Sequence, residues 1–300
     1  MTLRLATRRS PLALLQAQYV AERLAAHGVD ATLVPIETTG DQNLSEPLSA
    51  LGGQGIFAVE IQRAVLRGEA DVAVHSAKDL PSVTPDGLVL ASVPERRDAR
   101  DVLVGQSLAA LAPGATVATG SPRRRALLLE RRPDLNIVEL RGNMASRLAQ
   151  AGRDGVDAVV AAAAALQRLE QETLIAEFLD PSWYVPQVGQ GALALECRSG
   201  DSATIAHLGP LNDADASVAL EAERAFLREL GAGCSIPVGA HATWRDGIVH
   251  VTGVMADPEG RRTVRHTVAD SDPHVAGTAL ARYLRDDCGG GDLIASRLSK

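Results

Sequence analysis

Two hydrophobic patterns alternate along the first ninety residues. Short apolar runs of strand length are separated by stretches with apolar positions at helical spacing. The predicted strands lie at 3–7, 31–36 and 71–75, and the predicted helices at about 11–27 and 57–66. Ser10 followed by Pro11 is typical of a helix N-cap and first helical residue. This alternation of strand and helix predicts an α/β sheet.

The same alternation returns in the middle of the chain and then stops. Strands are predicted at 116–119, 136–140 and 157–161, with helices beginning after Ser121 and Asn143. A Gly-rich turn and strand over Val185–Cys197 is predicted to return to the first sheet. From about Leu211 the pattern is α+β, with helices at 214–230 and 274–284 around strands at 238–243, 248–255 and 262–268.

The predicted fold class is therefore α/β plus α+β. Two α/β domains flank a cleft, and a small α+β domain follows them. The predicted boundaries are 1–94 with 185–208 for domain 1, 95–184 for domain 2, and 209–300 for domain 3. A polar, Gly-rich segment at 37–55 is long for a loop inside a domain, which is typical of a lid or binding element.

Composition and charge narrow the class of protein. No apolar run is long enough to span a bilayer, and the N-terminus lacks a signal-peptide pattern. The three cysteines are odd in number and far apart, which favours a reducing cytoplasm, and no metal-ligand spacing is present. The net charge of −7 argues against a nucleic-acid partner. We expect a cytoplasmic protein without a membrane or nucleic-acid partner.

Local charge departs from this average at two places. Residues 120–154 contain eight arginines and four acidic residues, a net charge of +4 inside an acidic protein. Arginine suits carboxylates and phosphates because its fork binds them bidentately. Lys78 is the one lysine besides the terminal Lys300, and it precedes Asp79 at the end of a predicted buried strand. Open α/β sheets bind ligands at that end of their strands.

Two near-copies of one strand–turn–helix segment support an anionic ligand. Leu5–Pro11 and Val117–Pro122 each place hydroxyl groups at the start of a helix, with Arg8 inside the first segment and Arg123 directly after the second. Helix N-termini favour anions through free N–H groups and the helix dipole. Cys234 is flanked by Gly233 and Ser235 in a short loop, and it is the candidate for covalent chemistry among the cysteines.

Six motifs taken together identify a family. Each is short, but they occur in order across the three predicted domains. They are ATRRSPLA at 6–13, HSAKDLP at 75–81, TGSPRR at 119–124, LRGN at 140–143, VGQGA at 188–192 and GCSIP at 233–237. The chain resembles porphobilinogen deaminase, also called hydroxymethylbilane synthase, over essentially its whole length.

The resemblance implies a fold and a reaction. The fold is that of two-domain periplasmic binding proteins with a third domain attached. The reaction joins porphobilinogen units head to tail into the linear tetrapyrrole hydroxymethylbilane, as part of haem and porphyrin biosynthesis, and releases ammonia. It implies one dipyrromethane primer per chain, held as a thioether on Cys234, and a monomeric protein. Asp79 would be catalytic, because a carboxylate can hold pyrrole N–H groups and stabilise the cation left by ammonia loss.

The resemblance also implies binding residues. The cofactor would contact Lys78, Ser76, Thr119, Ser121, Arg123, Arg124 and Gly142. Substrate carboxylates would contact Arg8, Ser10, Arg141, Arg147 and Arg168. The chain departs from the family pattern at four positions: Gln54 replaces a common Lys, Ala77 a bulkier residue, Gly120 a Ser and Pro122 a Leu.

Two alternatives stay open at this stage. A cytoplasmic two-domain anion-binding sensor without catalysis would use the same helix N-termini, but it does not explain Cys234 or the Lys78–Asp79 pair. An enzyme using Lys78 as a Schiff base with pyridoxal phosphate would need a separate Gly-rich phosphate loop, which we do not find.

Overall fold

The computed structural model describes residues 2–38, 58–231 and 237–293. The chain divides into two compact units, each made of two segments. The first unit comprises Met1–Arg97 with Gly191–Ser217, and the second comprises Asp98–Gln190 with Val218–Lys300. The predicted division of the later residues into two separate domains stays a prediction.

The first unit contains a five-stranded mixed sheet in the order β2-β1-β3-β10-β4. Its strands are β1 (Leu3–Arg8), β2 (Ala31–Ile36), β3 (Val72–Ser76), β4 (Leu88–Ser92) and β10 (Leu193–Arg198). Strand β1 is parallel to β2 and β3, whereas β10 is antiparallel to β3 and β4. The prediction that the strand after the Gly-rich turn returns to the first sheet is confirmed.

The described residues of the first unit form three α-helices, and the sequence predicts a cap for the first of them. They are α1 (Pro11–Ala25), α2 (Val59–Leu66) and α6 (Ser202–Leu208). The Ser10 Oγ accepts a hydrogen bond from the Ala13 N–H at 3.3 Å, so the predicted N-cap is confirmed. Helix α1 ends two residues earlier than expected, and Gly28 then turns the chain at φ +76° into β2.

The second unit repeats this arrangement in a sheet of order β7-β6-β8-β5-β9. Its strands are β5 (Asp101–Gly105), β6 (Thr116–Ala118), β7 (Asn136–Val138), β8 (Ala158–Ala162) and β9 (Ile175–Phe178), and its helices are α3 (Pro122–Arg131), α4 (Met144–Leu148) and α5 (Ala163–Arg168). Strand β6 runs parallel to β7 and β8, while β5 is antiparallel to β8 and β9.

The C-terminal part of the second unit is α+β. Strands β11 (Val238–Arg245), β12 (Ile248–Ala256) and β13 (Thr263–Asp270) form an antiparallel meander. Helix α7 (Ala214–Leu230), of which Val218–Leu230 belong to this unit, and helix α8 (Pro273–Arg282) cover one face of the sheet. Asp246 and Gly247 both have positive φ in the β11–β12 turn, as a two-residue hairpin turn requires. The predicted fold class is confirmed by these three sheets. No helix among the described residues is long and apolar enough to cross a bilayer.

The β12–β13 turn docks on helix α3 within the second unit. Arg265 donates to the Glu130 carboxylate at 2.8 Å and to the Trp183 carbonyl at 2.9 Å. A Cβ atom at Gly260 would overlap the Ala126 carbonyl oxygen of α3. The C-terminal sheet and helix α3 are therefore in van der Waals contact, with an ion pair beside the contact.

An ion-pair network at the start of β1 and β3 gives a prediction for acid stability. Arg4 donates two side-chain hydrogen bonds to Asp71, at 3.0 and 2.8 Å, and side-chain hydrogen bonding by Arg4 is the main cause that lowers the pKa of Asp71 to about 2. Because the folded pKa lies below the unfolded value of about 3.9, the pair stabilises the fold above pH 4 and loses its contribution as pH falls toward 2.

We expect Asp71→Asn to lower the free energy of unfolding of the first unit by about 1–2 kcal/mol at pH 7. The difference from the wild type should shrink between pH 4 and pH 2. Urea unfolding followed by circular dichroism at several pH values measures it. Asp86→Asn, at an exposed aspartate of the same unit, is the control. A difference that stays constant with pH would contradict the assignment.

Candidate active site

The predicted catalytic pair lies on a short turn at the carboxyl end of β3. The turn is a 3-10 helix over Ala77–Asp79. Ala77 is buried and its N–H donates to the Ala192 carbonyl at 3.0 Å, and Leu80 is buried as well. Ser76, Lys78 and Asp79 are half-buried. Two buried apolar anchors thus hold a turn that presents a hydroxyl, an ammonium and a carboxylate.

The neighbouring strand ends at the same edge of the sheet. Strand β1 is parallel to β3, with Ala6 opposite Ala73, so the carboxyl ends of both strands carry predicted site residues. Arg8 is half-buried at the end of β1, and Ser10 caps α1 directly after it. The structure therefore brings Arg8 and Ser10 to the edge that carries Asp79.

A buried polar trio behind this edge was not predicted. The His75 Nε2 lies 3.2 Å from the Glu196 Oε2, which also accepts a hydrogen bond from the Gln62 side chain at 2.8 Å. All three residues are buried. His75 directly precedes Ser76, and its position in an apolar strand was the available signal. The trio links β3, β10 and α2 next to the turn that carries Asp79.

The second unit carries the other predicted binding residues after β6 and β7. Thr119 is buried, and its Oγ1 accepts a hydrogen bond from the Ser121 N–H at 3.2 Å. The Ser121 Oγ in turn accepts from the Arg124 N–H at 3.4 Å, capping α3. The predicted cap at Ser121 is confirmed, and Pro122 occupies the first helical position.

A buried carboxylate fixes the two arginines that follow this cap. Asp101 is fully buried, and it lies 2.7 Å from the Nη2 atoms of both Arg123 and Arg124. The Gln190 amide also donates to it at 2.9 Å. Burial alone would raise the pKa of Asp101, but the charges of Arg123 and Arg124 hold it below its ordinary value.

The two guanidinium groups differ in exposure. The Arg123 side chain is 3% exposed, and it also donates to the Val185 carbonyl at 2.7 Å. The Arg124 side chain is 12% exposed and donates to the Val160 carbonyl at 2.9 Å. Arg123 is thus a structural residue of the second unit, and its direct contact with a cofactor stays a prediction.

The loop after β7 and the helix α4 that follows it carry two further arginines of the Arg-rich segment, Arg141 and Arg147. Gly142 has φ +101°, and a Cβ there would overlap the Ser146 Oγ, so glycine is required. Asn143 caps α4 by accepting from the Ser146 N–H at 2.9 Å. The Arg147 Nε donates to the Gly142 carbonyl at 2.7 Å. Arg141 lies 2.9 Å from the Glu139 carboxylate.

Of three further predicted features, only Arg168 lies fully within the described residues. Arg168 is half-buried at the last residue of α5, which begins at the carboxyl end of β8. Cys234 lies outside the described residues, as do Gln54 and most of the predicted 37–55 loop. Cys197 is buried in β10, and burial raises the pKa of its thiol to about 11, so this thiol is not a nucleophile near neutral pH.

Comparison with known proteins agrees with these motifs. The family model described as porphobilinogen deaminase, dipyromethane cofactor binding domain, matches residues 3–206. The chain belongs to the porphobilinogen deaminase family. The model described as porphobilinogen deaminase, C-terminal domain, matches residues 218–286. The resemblance inferred from the six motifs is confirmed.

Individual relatives cover most of the chain. The porphobilinogen deaminase of Syntrophotalea carbinolica is 48% identical over 272 residues, covering 89% of this chain and 86% of the relative. That of Roseiflexus castenholzii is 44% identical and covers 98% and 99%. The solved methionine binding protein MetQ is 14% identical with a TM-score of 0.44, covering 69% of this chain and 88% of that one.

Membership of the porphobilinogen deaminase family establishes the coarse activity. The chain is a transferase of tetrapyrrole biosynthesis, and dipyrromethane is its cofactor. Porphobilinogen is the substrate of the family. Among residues 2–38, 58–231 and 237–293, no group of three or more His, Cys, Asp or Glu residues is arranged to hold a metal ion.

The buried ion pairs of Asp101 generate a stability prediction. We expect Asp101→Asn to lower the free energy of unfolding of the second unit by about 3–5 kcal/mol, because it leaves two arginines without their buried counter-charge. Both tryptophans, Trp183 and Trp244, lie in this unit, so their fluorescence during urea unfolding follows it selectively.

Asp98→Asn is the matched control, because Asp98 pairs with the more exposed Arg100 and its loss should cost less than about 1 kcal/mol. Equal effects of the two substitutions would show that Asp101 does not hold the unit together.

Proposed function

We propose that this chain joins porphobilinogen molecules head to tail into hydroxymethylbilane and releases ammonia at each addition. The observation that carries this proposal is the half-buried Asp79 on a turn anchored by Ala77 and Leu80, at the carboxyl end of a buried strand. That turn lies inside the segment matched by the cofactor-binding domain of the family.

Asp79 is the catalytic residue of this proposal. Its carboxylate accepts hydrogen bonds from pyrrole N–H groups and stabilises the positive charge that develops on the substrate as ammonia leaves. It then takes up the proton released when the new carbon–carbon bond restores the aromatic ring. Lys78 holds a substrate carboxylate, and Ser76 contributes a hydrogen bond.

The residues after β6 and β7 fit a ligand that carries several carboxylates. Thr119, Ser121 and Arg124 lie at the start of α3, Arg141 lies in the loop after β7, and Arg147 lies on α4. When bound, dipyrromethane supplies the free pyrrole carbon to which the first substrate unit is joined. These side chains would hold its acetate and propionate groups and those of the added units.

The other predicted residues have supporting roles. Arg8 and Ser10 would contact substrate carboxylates at the edge that carries Asp79, and Arg168 would contact the lengthening chain. Arg123 would act through Asp101, because its donors are occupied inside the second unit. We further propose a monomeric, cytoplasmic enzyme that does not act on nucleic acid.

Cys234 is the proposed attachment point of the cofactor. The support for it is the family match together with the other cysteines: Cys197 is buried, and Cys288 is partly exposed near the end of the described chain. A thioether forms when the sulfur bonds to the aminomethyl carbon of a porphobilinogen-derived unit, and ammonia carries away the thiol proton.

Intact-mass measurement of the purified protein tests the attachment. We expect the wild type to carry the added mass of one dipyrromethane and Cys234→Ser to lack it. Cys288→Ala is the matched control and should retain the added mass. A modified Cys234→Ser protein would defeat the assignment. An unmodified wild type that neither gains mass nor releases ammonia with porphobilinogen would favour the sensor without catalysis.

Turnover measurements test Asp79. We expect Asp79→Asn to lower kcat by at least about 100-fold, because an amide neither balances the cation nor accepts the proton. Circular dichroism should show an intact fold, because Asp79 is half-buried on a turn held by its neighbours. Asp86→Asn is the control and should turn over as the wild type does. Wild-type ammonia release by Asp79→Asn would remove Asp79 from the mechanism.

A further inference from the structure

An acidic side chain of the protein already pairs with one of the proposed carboxylate-binding arginines. The Glu139 Oε1 lies 2.9 Å from the Arg141 Nη2. Glu139 follows the last residue of β7, beside the segment that leads from β6 into helix α3. Its side chain is 58% exposed and that of Arg141 is 36% exposed, so an arriving solute can reach both groups.

The absence of a side chain at Gly120 leaves space for the Glu139 carboxylate. A Cβ atom built on Gly120 would lie 3.2 Å from the Glu139 Oε1 and 2.9 Å from the Leu140 carbonyl oxygen. Any larger residue at position 120 would therefore press against the Glu139 carboxylate and the β7–α4 loop. The missing side chain at Gly120 and the acidic side chain at Glu139 fit each other at the start of α3.

We infer that Glu139 is an internal competitor for the carboxylates of the substrate and of the growing chain. In the free protein it occupies Arg141, and a ligand carboxylate must displace it to gain the same guanidinium. Glu139 therefore lowers the affinity of Arg141 for ligand carboxylates, and its role is in binding rather than in catalysis. The inference rests on the proposed function, in which Arg141 holds ligand carboxylates.

As a consequence, Arg141 binds ligand carboxylates more weakly but exchanges them more readily. An enzyme that lengthens a chain carrying two carboxylates per unit must release each carboxylate as the chain advances. A carboxylate next to Arg141 can replace a departing one without leaving the guanidinium unpaired. Exposed ion pairs are weak, so the competition lowers ligand affinity by a few-fold rather than by orders of magnitude.

Steady-state kinetics with porphobilinogen tests the inference. We expect Glu139→Gln to lower KM about two- to fivefold, while kcat does not rise, because the ligand no longer displaces an ion pair. The effect should fade in about 1 M salt, where the Debye length is about 3 Å. Adding Arg141→Gln should abolish the gain, since the competition acts through that arginine.

The ion pair of Arg125 with Glu259 provides a matched control. Arg125 pairs with Glu259 at 2.9 Å, and its side chain has the same 36% exposure as that of Arg141. Glu259→Gln removes the same charge without touching the proposed site, so its KM should equal that of the wild type. An equal fall in KM in Glu259→Gln would mean that net charge alone is responsible, and it would overturn the inference.

Chemical modification gives a readout that does not depend on activity. Phenylglyoxal labels exposed arginines, and peptide mass mapping reports the rate at each site. Glu139→Gln should raise labelling at Arg141 and leave Arg125 unchanged, whereas Glu259→Gln should do the reverse. Porphobilinogen should protect Arg141 more effectively in Glu139→Gln than in the wild type.

The outcomes separate the two levels of the proposal. An active wild type whose KM and Arg141 labelling are unaffected by Glu139→Gln overturns the present inference and leaves the proposed function standing. A wild type that releases no ammonia from porphobilinogen overturns the proposed function, and with it the inference.

Discussion

The second unit depends on the ion pairs that the buried Asp101 carboxylate makes with two arginines. This carboxylate forms ion pairs with Arg123 and Arg124 at once and accepts a further hydrogen bond from Gln190. A lone buried charge of either sign would be costly, so carboxylate and guanidinium groups each make the other's burial possible. The start of α3 is consequently fixed in position before any ligand arrives.

Strand direction explains why the candidate residues group as they do. Within the first unit β1 and β3 are parallel neighbours, and within the second unit β6 and β7 are. The carboxyl ends of parallel strands lie at the same edge of a sheet. Residues that follow these strands therefore lie at that edge even when they are far apart in sequence and make no direct contact. The near-identical segments at the starts of α1 and α3 occupy equivalent positions in the two sheets, after β1 and after β6.

Patterns with local causes were readable from sequence. Helix α7 begins and ends at the predicted residues, Ala214 and Leu230, and strand β2 has its predicted bounds. Gly231, at φ +60°, follows helix α7, and Gly28, at φ +76°, precedes strand β2. Strand β9 was not predicted, because half of its four residues are exposed and its pairing with β5 is a long-range contact. The short helix α5 was missed because its start, at Ala162, has no capping side chain.

The candidate site divides in the same way. The sequence predicts that helices begin after Ser121 and Asn143, and both residues are observed as helix N-caps. The burial of the Arg123 side chain could not be predicted from the sequence, because its partner Asp101 is 22 residues away and the pairing is set by tertiary packing. The pairing of Glu139 with Arg141 depends on space left by Gly120, which no periodicity reveals.

The docking of the C-terminal sheet on helix α3 has a consequence for local concentration. Gly231 and Pro237, the residues that flank the Cys234 segment, belong to the same compact unit as Thr119, Arg124 and Arg141. A group bonded to Cys234 is therefore tethered to the unit that carries these side chains, and each of its encounters with them is intramolecular. For such a group, tether length and stiffness decide occupancy, and individual contacts can be weak enough to exchange while the whole remains bound.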